Sequence, residues 1–362
     1  MEYSYVKTMA TTLLTPIHQV INQPLAQLPS TSAWDRLSIH WPSPEDRDLP
    51  GQWNAKVSLF QYLAKAWQAI PDNSYRALCA DLRLFFDWCR TRTLPVLPAS
   101  PQTVAAFLVD QAEIKSKATV RRYLASIAKA HQRGGVTSPV SHEEVTLAFA
   151  KLYREDTSEP TQSAGLRWDL LHIGLKQLGT GTRAARDNAL LRVMYDCLLR
   201  VSEVRRLTLE GLSRDQNGYR LRVIRSKKRS TAQQGVVKYK FIDPTTAAAI
   251  KAWCDLAGIT SGAIFRGVAK SRAILDEPLS TKGVNRAVQK VAELAGLDPR
   301  EVSGHACRIG ACQDMLAAGI DIGRVRRAGD WERPEMPAYY GRKLAPDRSG
   351  VAELAKLQNR QG

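Results

Sequence analysis

The sequence predicts a mainly α fold in two domains: a helical N-terminal domain, then a mixed α domain carrying one small β-hairpin. Three observations predict it. Apolar residues return at helical spacing repeatedly between residues 55 and 150. A polar, acidic stretch, REDTSEPTQSAG at 154–165, then interrupts the apolar pattern. Beyond it helical periodicity resumes, and it yields to strict alternation only where YRLRVIR and VVKYKFI flank a turn-forming STAQQG.

Residues 1–54 carry Pro16, Pro24, Pro29, Pro42, Pro44 and Pro50 with little periodicity, so they are expected to form a poorly ordered arm with no fold of its own. Over 55–153 four apolar faces follow. Val57, Phe60, Leu63, Ala64 and Trp67 share one, and Leu78, Leu82, Phe85, Phe86 and Cys89 a second. Val104, Phe107 and Leu108 begin a third; Val120, Leu124, Ile127 and His131 form a fourth. The breaks IPDNS, LPVLPASP and RGGVTSP divide them into four or five short helices of a compact bundle. Arg76, Arg83, Arg121 and Arg122 are left for the outer faces, either as solvated decoration or as contacts to phosphate.

The linker at 154–165 marks the domain boundary, and residues 166–362 form the second domain. Leu190, Val193, Met194, Cys197, Leu198 and Val201 define a strongly apolar helix face that runs into Arg200 and Glu203. In the hairpin, Tyr219, Leu221 and Val223 alternate with Arg220 and Arg222. Helices are expected at 244–257, after PLST at 278–281, at 305–318, and in the closing GVAELAKLQ.

Charge narrows the function. Lys plus Arg number 52 against 35 Asp plus Glu, a net +17 with pI near 9.8, spread along the whole chain; a polyanion, most often nucleic acid, is the expected partner. Cys79, Cys89, Cys197, Cys254, Cys307 and Cys312 sit in apolar stretches without a CxxC pair and read as reduced core residues of a cytoplasmic protein. No apolar run approaches the ~18 residues of a membrane span, and the first 20 residues lack the continuous apolar core of a signal peptide. There is no GxxxxGK[ST] loop and no HExxH; His305, Cys307 and Cys312 fall in one predicted helix whose rotation scatters them. Neither a metal nor a cofactor is expected.

The chemistry lies in a series of residues along this basic chain. Arg200 and Glu203 stand three apart, as do His305 and Arg308, and Trp331 precedes Tyr340 by nine. Either pair alone is most often structural. In order, with a lysine on the hairpin between them and a tyrosine near the end, they make a set. The stretches LLRVSEVRRLTLEGLSR, LSTKGV, SGHACRIGACQDMLAAGIDIGRVRRAGDW and YYGRKL, with SYRALCADLRLFFDWCRTR in the N-terminal half, resemble the tyrosine recombinases of the phage integrase family, and within it the Cre-like branch. The resemblance covers roughly residues 55–362.

The resemblance implies a C-shaped clamp on double-stranded DNA, formed by a core-binding domain and a catalytic domain, that cleaves and rejoins strands without metal or ATP. Such cleavage needs fixed cations around an anionic phosphate. Arg200 and Arg308, with forked guanidinium donors, are the implied phosphate clamp. His305 binds the same phosphate or takes the tyrosine proton. Trp331, a donor only, braces the phosphate or the tyrosine. Lys227 delivers a proton to the leaving 5′ oxygen; Lys228 is the alternative, since a one-residue slip turns the side chain over, and Arg225 shares the face of Lys227. Tyr340, and not Tyr339, has the spacing of the nucleophile, although two prolines in DWERPEMPAYY depart from the family pattern. Glu203 orients the constellation. Lys282 and Arg286, four apart, suit a major groove, with phosphate contact as the other reading. Val351, Leu354 and Leu357 form a stripe that by resemblance docks into a neighbour, implying a homotetramer on two DNA sites. Location follows: the cytoplasm, on bacterial, plasmid or phage DNA in the nucleoid. Two other readings stand beside this one, a type IB topoisomerase and a catalytically inactive DNA-binding protein.

Overall fold

The computed structural model describes residues 50–155, 162–216, 218–225, 236–342, 344 and 350–360. Residues 1–49 of the expected arm, and Lys227 and Lys228, lie outside the described residues. The chain divides into two compact units, 1–159 and 160–362, so the division falls inside the acidic segment.

The first unit is helical: α1 (Pro50–Ala69), α2 (Asp72–Arg90), α3 (Pro101–Ala112), α4 (Lys117–Gly134) and α5 (Glu143–Glu155). Residues 50–54 therefore belong to a helix and not to the arm. The breaks read from sequence act as caps. Ser100 and Ser116 accept from the backbone N–H of Thr103 and Thr119, Pro101 takes the first position of α3, and Gly135 closes α4 with φ 70°. Leu59, Leu63, Leu78 and Leu82 fill one part of the core; Phe85, Phe107, Val120 and Ile127 fill another, with Phe85 and Phe107 edge to face at 5.0 Å.

His131 is wholly buried there. The Ala99 N–H donates to its Nε2 at 2.9 Å, so Nδ1 carries the proton and donates to Ile127 O; burial lowers its pKa and keeps the ring neutral. Arg122 lies on the outer face as expected, its side chain 51% exposed, but it also reaches inward. Its Nε and Nη2 grip the buried Asp81 carboxylate at 2.8–3.2 Å, and Ser126 Oγ donates to the same group at 2.8 Å. A buried carboxylate without a partner is costly, so this arginine is engaged within its own domain. Arg83 is half-buried, whereas Arg76 and Arg121 are exposed.

The second unit opens with α6 (Trp168–Lys176), α7 (Thr182–Asp196) and the short α8 (Val201–Val204). Strands β1 (Leu212–Asp215), β2 (Gly218–Arg225) and β3 (Val236–Ile242) follow as an antiparallel sheet in that order, with Val223 opposite Lys238 and Leu221 opposite Lys240. After α9 (Pro244–Ala257) comes a second antiparallel pair, β4 (Arg266–Val268) and β5 (Ile274–Pro278), that the sequence does not disclose; strands of three and five residues without alternating burial leave no period to read. Then come α10 (Thr281–Leu294), α11 (Ala306–Ala317), α12 (Ile322–Ala328), α13 (Glu335–Gly341) and α14 (Gly350–Leu357). Leu190, Val193, Trp253, Phe265 and Val288 are among the core of this unit. The six cysteines are buried and free, and burial raises the thiol pKa of each.

The apolar run at 190–201 is not one helix, as its periodicity suggests. α7 stops at Asp196, and Leu198 adopts φ 50°. That left-handed residue turns Leu198 out of the cluster of Leu190 and Val193 and into another formed with Ala311, Cys312, Val325 and Trp331. Arg200 consequently starts α8 as its extended N-cap, at φ −80° and ψ 152°. It does not share a helix face with Glu203. Instead Glu203 accepts from both the Arg200 backbone N–H and Nη1, each at 2.9 Å.

Candidate active site

Four segments of the second unit converge: the turn at 198–203, the start of α11, the loop after α12, and α13. His305 is the N-cap of α11 and is exposed; Arg308, one turn in, is only 3% exposed. Burying a guanidinium requires partners. Arg308 donates through Nη1 to Leu198 O and through Nη2 to Gly329 O at 2.6 Å, and its plane lies 4.3 Å from the Trp331 ring centre. Arg200, about a third exposed, is steered by buried Glu203.

The loop explains how Trp331 gets beneath that guanidinium. Gly329 ends α12 with φ −87°, an ordinary value, so it is needed for space: a Cβ there would stand 2.0 Å from Trp331 Cζ3. Asp330 then takes φ 54°, and the Trp331 N–H returns to Arg326 O at 3.0 Å. The Asp330 carboxylate accepts from Lys238 and Lys240 of β3, each at 2.5 Å. Burial alone would raise its pKa, but the two ammonium groups hold it below the ordinary value.

The two prolines before the tyrosines are accommodated without disturbing the site. Pro334 is the N-cap of α13 and Pro337 lies in its first turn, where a backbone N–H has no intrahelical acceptor to lose. Tyr340 sets its ring edge against Trp331 at 5.8 Å, and Gln313 Nε2 donates to Tyr340 O at 3.1 Å. The Tyr339 ring centre lies 6.0 Å from that of Tyr340 and has the Arg342 guanidinium 3.8 Å from it.

Charge links these side chains. Burial raises the Tyr340 pKa; the positive charges of Arg308 and Arg200 pull it back. The phenol is protonated at neutral pH and needs a base to become a nucleophile. Crowding by protein atoms lowers the His305 pKa, and Arg308 and Arg200 lower it further, with Glu203 opposing. A neutral imidazole has the free lone pair that a base needs, and His305 shares its two arginine neighbours with Tyr340.

Arg200, Glu203, His305, Arg308, Trp331 and Tyr340 are thus brought together. Lys282 and Arg286 are exposed on the first turns of α10, and the side chain of Arg225 lies outside the described residues. Among the described residues no group of three or more His, Cys, Asp or Glu is placed to hold a metal ion. Sequence reasoning missed Asp330, Lys238 and Lys240. The alternation in VVKYKFI does place both lysines on one face of a strand, but nothing in sequence names an acidic partner some 90 residues on.

Residues 169–345 match the phage integrase family, and that span contains every member of the cluster. This span is a tyrosine recombinase domain of that family. The recombinase is 24% identical over 306 residues to the recombinase Cre of Escherichia phage P1, covering 79% of this chain and 89% of that protein. It is 26% identical over 277 residues to an integrase/recombinase XerD homolog of Selenomonas ruminantium, covering 74% and 81%. In fold it is similar to the XerH site-specific recombinase in a post-cleavage complex with palindromic difH substrate, with TM-score 0.58 at 15% identity over 90% of this chain and 93% of that one.

The packing of Gly329 against Trp331 supplies a test of the recombinase's geometry. Gly329→Ala should displace the indole from Arg308 and destabilise the protein by about 1–3 kcal/mol, as overpacking of a filled site does. Urea denaturation of the variant measures this, and unchanged stability would mean that the loop has room the structure does not show.

Proposed function

We propose that this recombinase cleaves each DNA strand by attack of Tyr340 on the scissile phosphate and rejoins it to a different strand. The observation that carries the reading is the position of Tyr340: its ring lies against Trp331, over which two backbone carbonyls hold the Arg308 guanidinium, and the charge of that arginine favours the phenolate. Tyr340 Oη bonds to phosphorus while the P–O5′ bond breaks, giving a 3′-phosphotyrosyl link and a 5′ hydroxyl. His305 takes the phenol proton, and Lys227 gives a proton to the departing 5′ oxygen; Lys228 is the alternative donor. Arg200 and Arg308 neutralise charge on the nonbridging oxygens, and the Trp331 Nε1–H adds a donor. The covalent link conserves the phosphodiester bond energy, so religation needs no ATP. Side chains supply all of the positive charge, and no metal takes part.

Lys282 and Arg286 on α10 are suited to the major groove, and Arg76, Arg83, Arg121, Arg122 and Arg225 to phosphates, Arg122 while also paired with Asp81. The exposed stripe of Val351, Leu354 and Leu357 on α14 favours a recombinase over a relaxing topoisomerase, because an apolar face of this kind fits a neighbouring protomer. We assign it to a homotetramer on two DNA sites, working on DNA in the cytoplasm.

Wild type, Tyr340→Phe and Tyr339→Phe proteins incubated with a randomised duplex library in EDTA, then denatured, separate the readings. Covalent DNA is expected from wild type and Tyr339→Phe and not from Tyr340→Phe, with inverted arms around a spacer in the captured sequences. DNA bound but never linked, or linkage lost in EDTA, would contradict the mechanism.

The state of His305 sets the acid limb of the reaction. The neutral ring is the active form and its pKa is depressed, so cleavage should stay level as pH falls to about 6.5, the ordinary histidine value, and decline only below it. A single-turnover pH profile checks this; a decline already under way at about 7.5 would show that another group limits the rate.

A further inference from the structure

We infer that Asp330 is a positioning residue that holds the β2–β3 hairpin in register with the phosphate pocket, and so sets the proton donor to the leaving group. The inference rests on the reading above, in which a hairpin lysine, Lys227, protonates the 5′ oxygen.

The loop at 328–331 does not need the Asp330 carboxylate to keep its own shape. The Asp330 N–H reaches Arg327 O at 3.1 Å, the Trp331 N–H reaches Arg326 O at 3.0 Å, and Gly329 O accepts from Arg308. What the carboxylate does alone is reach across to β3. Lys238 and Lys240, two apart and therefore on one face of the strand, both end on it at 2.5 Å, and Lys240 also donates to Ala328 O at 2.5 Å. Without the carboxylate, two ammonium groups and the nearby Arg308 guanidinium would share a partly buried space with no counter-charge, and repulsion would drive the strand outward.

The residue type strengthens the case. A left-handed φ is a position that glycine fills without strain, yet an aspartate stands at 54°. Aspartate tolerates that conformation better than most side chains, and here its carboxylate gains two charged partners by adopting it. One side chain thereby joins two parts of the machinery. Its backbone precedes Trp331, which underlies Arg308 and Tyr340, and its carboxylate holds β3 between two and four residues beyond the strand's first residue, Val236. Lys227 lies two residues past the end of the paired strand β2.

The chemistry of the leaving group offers a test that a purely structural role would not pass. An alkoxide is a poor leaving group and needs a proton as P–O5′ breaks; a thiolate, whose acid has a pKa near 8.5, leaves without one. Duplex recovered by covalent capture with wild type would be remade with either oxygen or sulfur bridging the scissile phosphorus to the 5′ carbon. On the oxygen substrate Asp330→Asn is expected to cleave on the order of 100-fold more slowly with unchanged DNA affinity, the loss that follows when a catalytic group is misplaced. On the sulfur substrate Asp330→Asn and Lys227→Ala should both recover to the wild-type rate. Lys238→Met, removing the more exposed of the two lysines, at 40% against 10%, should follow the same pattern with a smaller defect.

If Lys227→Ala recovers on sulfur and Asp330→Asn does not, Asp330 acts only on stability or on the attack step, and the inference is wrong. Wild-type cleavage by Asp330→Asn on oxygen would equally overturn it. If neither variant recovers, the assignment of the leaving-group acid fails, and the inference falls with it. Capture of no duplex by wild type would remove the recombinase mechanism itself.

Discussion

The site depends on a guanidinium buried in its own protein. Arg308 is held by Leu198 O on one side and Gly329 O on the other, over the face of Trp331. A charge in that position is expensive unless its donors are satisfied, and a planar fork with five N–H groups can satisfy two carbonyls and still offer hydrogen bonds toward Tyr340. Because the carbonyls come from two separate segments, the arginine also fixes those segments relative to each other. In the proposed mechanism the guanidinium is therefore in place before the phosphate arrives, which is the condition under which fixed cations stabilise developing charge best.

Several local departures from regular structure follow from that one requirement. Leu198 turns left-handed and ends α7 early, which presents its carbonyl to Arg308 and starts α8 with Arg200 at the cap. Gly329 has no side chain because the indole of Trp331 fills that space. Asp330 takes a second left-handed turn and is met by two lysines of β3. Pro334 and Pro337 sit where a helix can do without their N–H groups, and they deliver Tyr340 to the edge of Trp331.

The helices and the β2–β3 hairpin were largely legible because periodicity reports burial, and capping residues such as Ser100, Ser116 and Gly135 report ends; the four-residue β1 was too short to show a period. His305, Arg308, Trp331 and Tyr340 were legible as an ordered set at fixed spacing. The geometry that makes them work was not. An apolar run through Leu198 reads as uninterrupted helix, since nothing in its composition marks a left-handed residue. Arg122 reads as an outward cation, and it is one, but nothing near it in sequence names Asp81, 41 residues earlier, as the buried carboxylate it also grips. The pair of lysines in β3 is visible as a pattern, but their carboxylate comes from the far end of the domain. Long-range contacts such as these, and those of Arg308 with Leu198 O and Gly329 O, leave no local trace.

The most direct test of the account is the replacement of the buried fork by a point charge. Arg308→Lys retains the positive charge but cannot bridge Leu198 O and Gly329 O while reaching Tyr340. Single-turnover formation of the covalent DNA complex should fall by about 10²–10³, with DNA affinity little changed because many other phosphate contacts remain. Covalent complex formed at close to the wild-type rate would mean that net charge suffices and that the preassembled guanidinium is not what the site depends on.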